Sequence, residues 1–351
     1  MQLSDLEQFL AGLGEERFHA RQIYQWVYKR GVSDFGQMSD LSKALRGSLG
    51  SQLSLSTPRI VARDRSSDGT EKFALELGGE PVRRIESVFI PDTPAMTFCI
   101  STQVGCAIGC AFCLTGKMGL VRNLTAGEIV GQVRVLAHAL SLLDTRFNIV
   151  LMGMGEPLHN YDETMKALRI LAEPAGLAIS PRRVTLSTVG LVPGLDRLAT
   201  EPFMPNLAIS LHATTEEQRS RLVPLNRKYR IEDVIAACKR FPVKRRDRIT
   251  FEYVLLEGVN DAPEDARRLV RVLSGIRAKV NLIPLNEAAG IPFARPSDQR
   301  VDAFAQVLAD HHVTVSVRKS RGRDIRAACG QLIVEGQNRS PGQRLASALG
   351  D

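Results

Sequence analysis

Strand-like and helical patterns alternate along the chain from residue 96 onward, and this alternation constrains the fold more than any other feature. Six short runs rich in apolar residues recur, and helical patterns fill most of the intervals between them. The runs cover residues 97–101, 148–152, 184–187, 207–211, 250–255 and 280–283. Such alternation indicates an α/β fold with a parallel sheet, either a barrel or an open doubly wound sheet. Six units are too few for a full eight-stranded barrel, and in both architectures ligands bind at the carboxyl ends of the strands.

The clearest helical pattern in this part of the chain runs from about Ala126 to Leu143. Thr125 can cap the helix, and Glu128, three residues on, completes a capping box. We therefore expect a long helix to follow the first strand.

The sequence before residue 96 divides into two regions of different pattern. Residues 3–49 place apolar side chains at helical spacing, which predicts a small helical domain. Residues 58–91 contain short strand-like runs separated by turns, and we interpret them as a β-rich lead-in. The predicted division is a helical accessory domain over 1–50 that binds RNA, a lead-in over 51–91, a core over 92–335 and a flexible tail over 336–351.

Composition indicates a soluble globular protein. Among the 351 residues no apolar run approaches the roughly 18 that a membrane-spanning helix needs. The N-terminus carries Asp5 and Glu7 where a secretory signal would have a basic and then an apolar stretch, so we expect a cytoplasmic protein. The formal net charge of +8 favours a polyanionic partner such as nucleic acid, although many basic proteins bind none.

Three of the six cysteines, Cys106, Cys110 and Cys113, lie within eight residues directly after the first core strand. Disulfides at this spacing would be strained, and a reducing cytoplasm disfavours them. A 4Fe-4S cluster fits better, because three thiolates on four irons leave one iron open to a substrate or cofactor. Zinc with Cys99 as a fourth ligand and ordinary buried thiols are the alternatives at this point. Cys238 lies in an apolar helical stretch and is interpreted as core packing.

The residues around these cysteines resemble a known family. The run CAIGCAFC (106–113), with an aromatic residue before the last cysteine, is similar to the signature of the radical S-adenosylmethionine (SAM) superfamily. Further segments narrow the resemblance to the RlmN/Cfr family of RNA methyltransferases and extend it over nearly the whole chain. These segments are RQIYQW (21–26), STQVGC (101–106), TGK (115–117), RNLT (122–125), MGMGEP (152–157), SLH (210–212) and AACG (327–330).

The resemblance implies a partial (β/α)6 radical SAM barrel and a dual-specificity enzyme. Such an enzyme methylates C2 of an adenosine in the peptidyl-transferase centre of 23S rRNA and of the adenosine 3′ to the anticodon in certain tRNAs. Methylation at C8 of the rRNA adenosine, as in the Cfr branch, is the alternative. C2 of adenine is electron-poor and has no lone pair to attack an ordinary methyl donor, so radical chemistry is needed. The implied cofactors are one 4Fe-4S cluster on Cys106, Cys110 and Cys113 and two SAM molecules per turnover.

The resemblance also implies roles for residues outside the cysteine run. Cys329 takes a methyl group from a first SAM, and after hydrogen abstraction the carbon adds to C2, which leaves a thioether between protein and RNA. Cys99 matches the resolving cysteine that releases the product through a transient disulfide, a catalytic use that a reducing cytoplasm permits. Glu86 matches the proton acceptor, although a structural ion pair with Arg83 or Arg84 would also explain it.

Residues at or just beyond strand ends are the candidate SAM contacts. Glycines after the second core strand let the backbone approach a ligand, and Glu156 can accept hydrogen bonds from the SAM amino group. A metal-ligand role for His212 is disfavoured because no second histidine or carboxylate lies at ligand spacing. The candidate set is Gly155, Glu156, Ser187, Ser210, Leu211, His212 and Asn286.

Three basic runs, at residues 239–240, 244–248 and 318–326, become candidate phosphate contacts if the substrate is RNA, although such runs are usually a solvated face. The target base must leave its stack to reach the site. The expected partners are 23S rRNA, tRNA and an electron donor such as flavodoxin or ferredoxin, with no membrane. We expect the chain to be a monomer.

Two other classes of protein explain less of the sequence. A zinc-bearing RNA-binding module leaves the glycine segment around Glu156 and the distant Cys329 without a purpose. A radical SAM enzyme that acts on a small metabolite explains neither the basic surplus nor the helical N-terminal region.

Overall fold

The computed structural model describes residues 1–91, 95–244 and 247–334. Its N-terminal helices are α1 (Leu3–Gly12), α2 (Phe18–Tyr24), a π-helical turn (Gln25–Lys29) that continues α2, and α3 (Lys43–Gln52). Gly31, with a φ of 70°, follows the π-helical turn, and between residues 30 and 42 only Phe35–Gln37 is helical, so the predicted helical region is interrupted. The helices bury an apolar cluster of their own, which includes Leu6, Leu10 and Ile23.

The lead-in consists of the antiparallel strands β1 (Arg59–Arg65), β2 (Glu71–Leu77) and β3 (Arg83–Ile90). Side chains of β2 alternate between buried and half-buried, as expected for a strand with one face on the core. β3 also pairs antiparallel with the first core strand, at Val88 and Cys99. The lead-in is therefore continuous with the main sheet.

The core alternates strands and helices. In chain order its elements are β4 (Thr97–Cys99), β5 (Gln103–Gly105), α4 (Leu114–Met118), β6 (Leu120–Asn123), α5 (Ala126–Ala139), β7 (Asn148–Leu151), α6 (Tyr161–Ala172), β8 (Val184–Thr188), α7 (Val192–Leu198), β9 (Asn206–Ser210), α8 (Glu216–Leu222), α9 (Ile231–Arg240), β10 (Ile249–Leu255), α10 (Pro263–Val272), β11 (Ala278–Pro284), α11 (Asp298–Asp310) and β12 (Thr314–Val317). β5 and β6 form a small antiparallel pair on either side of the cysteine loop.

The remaining strands form one sheet of ten, in the order β1-β2-β3-β4-β7-β8-β9-β10-β11-β12. From β4 to β12 the neighbours are parallel, and helical crossovers join them. The sheet is open, with β1 and β12 at its edges, so the predicted partial (β/α)6 barrel is confirmed. All six predicted core strands are present, and β12 is an additional strand that the sequence did not indicate.

Helix α5 begins at the predicted capping box and ends earlier than predicted. Thr125 Oγ1 accepts from the Glu128 N–H at 3.2 Å, and Glu128 Oε2 accepts from the Thr125 N–H at 2.9 Å. The helix stops at Ala139 because Ser141 adopts a φ of 56°, which no α-helix accommodates. Leu143 still packs against the core, which explains why the apolar pattern continued beyond the helix end.

The segment after β12, residues 318–334 and here termed the closing segment, lies against the carboxyl ends of the strands. At one end the β1–β2 turn holds it, because Asp68 Oδ2 accepts from the Gly322 N–H at 3.0 Å and the Ser66 hydroxyl donates to Asp324 at 2.6 Å. The predicted tail over 336–351 lies outside the described residues. Within the described ranges, no helix has both the length and the apolar character needed to cross a membrane.

Candidate active site

A cavity with about 900 Å³ of empty volume lies at the carboxyl ends of the parallel strands. This volume includes the space at the mouth that is open to solvent. Most of the predicted site residues line it: Cys106, Cys110, Cys113, Gly155, Glu156, Ser187, Ser210, His212, Asn286 and Cys329. The sheet has thus brought together residues that are spread over more than two hundred positions of the sequence.

The three clustered cysteines lie on the loop between β5 and α4. Backbone N–H groups point at their sulfurs: those of Ile108 and Gly109 at Cys106, and those of Thr115 and Gly116 at Cys113. Burial raises the pKa of Cys106 to about 12, and it also raises the pKa of the other two thiols. A metal cation would supply the positive charge that these thiols need to ionise.

The donor set fits an iron–sulfur cluster, in which each cysteine binds a different iron and N–H groups bond to the sulfurs. Among the described residues, no group of three or more His, Cys, Asp or Glu side chains is arranged to hold a single metal ion.

Glycines around the cavity allow close contact between neighbouring strand ends. Gly155 has a φ of 105°, and a Cβ there would lie 2.6 Å from the Cβ of Gln103. A Cβ on Gly153 would lie 2.7 Å from the Ile100 carbonyl oxygen. Packing of the β7 loop against the β4 and β5 backbone therefore requires glycine here, a reason additional to the predicted approach to a ligand.

Glu156 is buried at the cavity wall, with 3% of its surface exposed. Its Oε1 accepts from the Leu158 N–H at 3.0 Å, and its Oε2 accepts from the Val189 N–H at 2.9 Å. Burial nonetheless raises the pKa of this carboxyl to about 7. The Thr188 hydroxyl also bonds to this carboxylate. Since a carboxylate has about four acceptor sites, Glu156 can still accept from a ligand that carries an N–H donor.

The other polar residues of the cavity present both donors and acceptors. The hydroxyls of Ser187 and Ser210 are 3.3 Å apart. His212 Nδ1 accepts from the Val254 N–H at 3.1 Å, and burial lowers the pKa of His212 to about 3, so the ring is neutral and its proton is on Nε2. The Asn286 Oδ1 is buried and has no hydrogen-bond partner in the described part of the chain. This orphaned acceptor fits a ligand that donates a hydrogen bond.

Leu211 is a predicted SAM contact that the structure does not bring into the lining of this cavity. Its side chain is fully buried in the core. Its N–H donates to the Glu252 carbonyl at 3.1 Å, and its carbonyl accepts from Arg219 Nε at 3.2 Å. The backbone of Leu211 is thus engaged within the protein.

Glu86 is buried on β3 and forms an ion pair, but with a partner different from those considered in the sequence. The Lys72 ammonium lies 3.2 Å from Glu86 Oε1, so Glu86 has the structural ion pair that was considered as an alternative, but with Lys72 in place of Arg83 or Arg84. Lys72 takes this place because it lies on β2, the neighbouring antiparallel strand. Glu86 Oε2 accepts from the Ile333 N–H at 2.8 Å, which attaches the closing segment to β3, and burial raises the pKa of this carboxyl.

Cys99 and Cys329 line a second cavity that adjoins the first. Cys99 is 6% exposed and accepts a hydrogen bond from the Met152 N–H. Burial raises the pKa of Cys99 to about 12, the Cys329 sulfur raises it further, and the Arg318 guanidinium opposes both. The two thiols are therefore neighbours, as the mechanism implied by the resemblance requires.

Arg318 lines both cavities, together with Cys329. The negative charge of an ionised Cys329 is the largest influence on the pKa of Arg318 and raises it. In the sequence Arg318 stands out only as part of a basic run. The signal that could have identified it is its position directly after β12, a strand that the apolar pattern did not predict. The sixth cysteine, Cys238, is buried in the core, as predicted.

Two of the basic runs, 244–248 and 318–326, lie at opposite ends of the parallel strands. Lys244 precedes β10, its carbonyl accepts from Arg277 at 2.8 Å, and Arg248 donates to Thr314 at the start of β12. These residues are at the amino ends of the strands, away from the cavity, and Arg245 and Arg246 lie outside the described residues. Lys319, Arg321 and Arg323 belong instead to the closing segment, which lies at the carboxyl ends of the strands, where the cavity is.

Comparison with known proteins relates the chain to one family. Residues 1–55 match the model "Ribosomal RNA large subunit methyltransferase N-terminal domain", and residues 100–270 match "Radical SAM superfamily". A dual-specificity RNA methyltransferase RlmN from Syntrophobacter fumaroxidans is 49% identical over 95% of this chain and 96% of its own length. The RlmN protein of Anaeromyxobacter dehalogenans is 48% identical over 98% and 93%. The crystal structure of a radical SAM methyltransferase from Sphaerobacter thermophilus superposes with a TM-score of 0.90, at 48% identity, over 95% of this chain and 97% of that one.

Proposed function

The chain belongs to the radical SAM family of dual-specificity RNA methyltransferases RlmN, and we propose that Cys329 is its methyl carrier and Cys99 the thiol that releases the product. As a member of this family it uses SAM to methylate C2 of an adenosine in 23S rRNA and in tRNA. The observation that carries the proposal is the meeting of Cys99 and Cys329, far apart in sequence, at a cavity next to the one lined by the clustered cysteines.

A 4Fe-4S cluster and SAM are the cofactors that the family implies. In this chain Cys106, Cys110 and Cys113 would hold the cluster, which supplies the electron that cleaves SAM to a 5′-deoxyadenosyl radical. The donor and acceptor groups described above would bind SAM. Glu156 would accept a hydrogen bond from the amino group of SAM. The Asn286 Oδ1, which has no hydrogen-bond partner among the described residues, would accept one from another donor of SAM.

Cys329 performs the first transfer as a thiolate. Its sulfur forms a bond to the methyl carbon of a first SAM, and S-adenosylhomocysteine leaves. The S-methyl group then loses one hydrogen atom to the radical from a second SAM, which accounts for two SAM molecules per turnover, and the carbon adds to C2 of the adenine. The guanidinium of Arg318 lines both cavities together with Cys329 and places a positive charge beside this sulfur.

Cys99 completes the sequence after the adduct radical has lost one electron, which would return to the cluster that donated an electron when SAM was cleaved. The Cys99 sulfur attacks the sulfur of Cys329, so that an S–S bond forms as the S–C bond breaks. The electron pair of the broken bond stays on the carbon, which takes a proton to become the methyl group. Glu86 is the proposed acceptor of the C2 proton. Its support is a buried carboxylate with a raised pKa, hydrogen-bonded to the segment that carries Cys329.

RNA phosphates are proposed to contact the closing segment through Lys319, Arg321 and Arg323. Arg321 lines the cavity that contains Cys99 and Cys329, which the flipped adenosine must reach, and Lys319 and Arg323 are exposed residues two positions to either side of it. Residues 1–50 are proposed to be an accessory RNA-binding domain, because they bury a core of their own and match a domain model from ribosomal RNA methyltransferases.

The rest of the organisation follows from these assignments. We propose the lead-in over 51–91, the catalytic core over 92–335 and the tail over 336–351 as the remaining parts of the chain. A flavodoxin or ferredoxin is the proposed electron donor, and the enzyme is proposed to act as a cytoplasmic monomer.

The test uses a bacterial strain that lacks the gene, complemented with the wild-type protein or with cysteine variants. Mass spectrometry of rRNA and tRNA adenosines should detect 2-methyladenosine with the wild type and none with Cys329→Ala. Cys99→Ala should accumulate protein crosslinked to RNA, seen on a denaturing gel and removed by ribonuclease, and the double variant should show no crosslink. Cys238→Ala, which removes a buried thiol of the core, is the matched control and should behave as the wild type.

The assignment would be refuted by free 2-methyladenosine at the normal rate in Cys99→Ala, or by an equal crosslink without Cys329. Formation of 8-methyladenosine instead would support the Cfr-like alternative.

A further inference from the structure

Arg219 on α8 is a buried cation that has no carboxylate partner among the residues that the structure describes. Its side chain is fully buried. In the described part of the chain, its guanidinium donates only to neutral oxygens: the carbonyls of Leu211, Tyr229 and Val189 and the Asn226 side-chain oxygen, at 2.5–3.3 Å. Hydrogen bonds to carbonyls satisfy the donors but leave the positive charge itself unneutralised in a dry interior. A charge of this kind is costly unless an anion is nearby.

The cysteine loop is attached to the same helix. The Ala111 N–H donates to the Leu222 carbonyl at 2.9 Å, which joins the loop to the last turn of α8. Cys110 and Leu222 also pack in one apolar cluster. Arg219 thus lies on the element that supports the middle cysteine of the three.

An ionised Cys110, as it would be when it binds a metal, is the charge with the strongest influence on Arg219. Burial lowers the pKa of Arg219 to about 10, the Cys110 sulfur raises it, and Glu216 raises it by less. Glu216 reaches the guanidinium only through the Asn226 amide, which donates to its carboxylate at 2.8 Å. Arg219 therefore stays protonated at neutral pH, and an ionised Cys110 on the cysteine loop would provide a negative charge to balance it.

A second positive charge, that of Arg318, lines the same cavity, and the charges that act on it are those of Cys329, Glu252 and Cys99. His212, whose pKa falls partly because of Arg219, is neutral. Glu156 acts on both Cys106 and Cys110 and is itself negative when ionised. Three cysteinates on an oxidised 4Fe-4S core give a net charge of −1, which becomes −2 on reduction. A fixed positive charge favours the more negative state.

We propose that Arg219 is the buried counter-charge of the iron–sulfur cluster, holding its reduction potential higher than the three cysteines alone would. This inference rests on the proposed ligand assignment of Cys106, Cys110 and Cys113. Arg219 acts through the field of its charge and through α8, without contact to the reacting atoms. It is therefore a residue that makes the electron-accepting step easier rather than a catalytic residue.

The experiment measures the midpoint potential of the anaerobically reconstituted cluster by redox titration followed by electron paramagnetic resonance. Arg219→Met should shift the potential to a more negative value, because the charge is gone. Arg219→Lys should stay near the wild-type value, because the charge remains although the set of hydrogen bonds is lost. Arg221→Met is the matched control: it removes the same charge from an exposed position on the same helix and should leave the potential unchanged.

Two results would overturn the inference: an unshifted potential in Arg219→Met with an intact cluster, or a shift in Arg219→Lys as large as in Arg219→Met. The latter would make the hydrogen bonds of the guanidinium, not its charge, the source of the effect. If Arg219→Met fails to fold, the test compares the iron and sulfide content of Arg219→Lys with that of Arg219→Gln. The charged variant should retain the cluster and the neutral one should lose it, and equal content would refute the role. Absence of a cluster in the wild type would instead refute the proposed function.

Discussion

Release of the methylated RNA should be slow and steeply dependent on pH, because the thiol assigned to it is buried. Burial raises the pKa of Cys99 from an ordinary value of about 9 to about 12. At pH 8 about one Cys99 thiol in 10⁴ is then ionised, against about one in ten for an exposed cysteine. A thiolate of higher pKa is a better nucleophile, so each ionised Cys99 reacts faster than an ordinary thiolate. For a Brønsted coefficient of about 0.4–0.5 its rate constant is higher by a factor of roughly 15–30. We expect release roughly 30–70 times slower than by an exposed thiol, and about tenfold faster for each unit of pH between 7 and 10.

The assay follows the lifetime of the covalent protein–RNA adduct after a single anaerobic turnover, with acid quench and a denaturing gel at pH 7, 8 and 9. Arg318→Gln should lengthen the lifetime, because the charge that opposes the raised pKa of Cys99 is removed. In Cys99→Ala the adduct should persist at every pH, whereas Cys238→Ala should follow the wild type. A lifetime that does not change with pH would refute the reasoning.

Three further outcomes are expected. Replacement of Cys106, Cys110 and Cys113 together by Ala should remove bound iron, sulfide and visible absorbance near roughly 400 nm, and wild-type iron content would contradict the ligand assignment. Neutralising Lys319, Arg321 and Arg323 should flatten the salt dependence of RNA affinity by roughly 0.7–0.9 in logarithmic slope per lost contact. Neutralising Lys244 and Arg248, at the amino ends of the strands, should leave the slope unchanged. Equal slopes in the two variants would mean that the closing segment is a solvated surface that does not contact RNA. In the cluster-free protein the native state holds the Glu156 proton up to pH about 7, above the ordinary value of 4.5. Stability should therefore fall by about 3 kcal/mol as pH rises through this window, and Glu156→Gln should remove that fall in urea unfolding at pH 5 and 8.

Apolar runs were sufficient to predict the central strands but not the edge of the sheet. Strands such as β9 and β10 are buried on both faces, so they contain nearly continuous apolar residues that stand out in a sequence. β12 has four residues, none of them buried, because it pairs on one side only. The missed strand had a further consequence: Arg318, which directly follows it, was not recognised as a residue at a strand end.

The cysteine loop and the residues that line the cavity could be predicted because motif positions and strand ends are local properties of the sequence. The partner of Glu86 could not, because Lys72 becomes its neighbour only when β2 pairs with β3. Arg219 is still less visible in the sequence. It lies in a polar helical segment typical of a solvated surface, and only the packing of α8 against the cysteine loop places it in the interior.

The two attachments of the closing segment set an order for assembly during synthesis. Cys329 reaches Cys99 only after β12 has joined the sheet and after Asp68 and Glu86 have bound Gly322 and Ile333. About 230 residues separate the two thiols, so a ribosome that adds roughly 5–20 residues per second needs about 10–50 s to make the second available to the first. During that interval the cysteine loop is present without the segment that later lies against it. The ligands of the proposed cluster are therefore synthesised well before the proposed carrier thiol, and a nascent chain would be unable to modify RNA until the closing segment has been made.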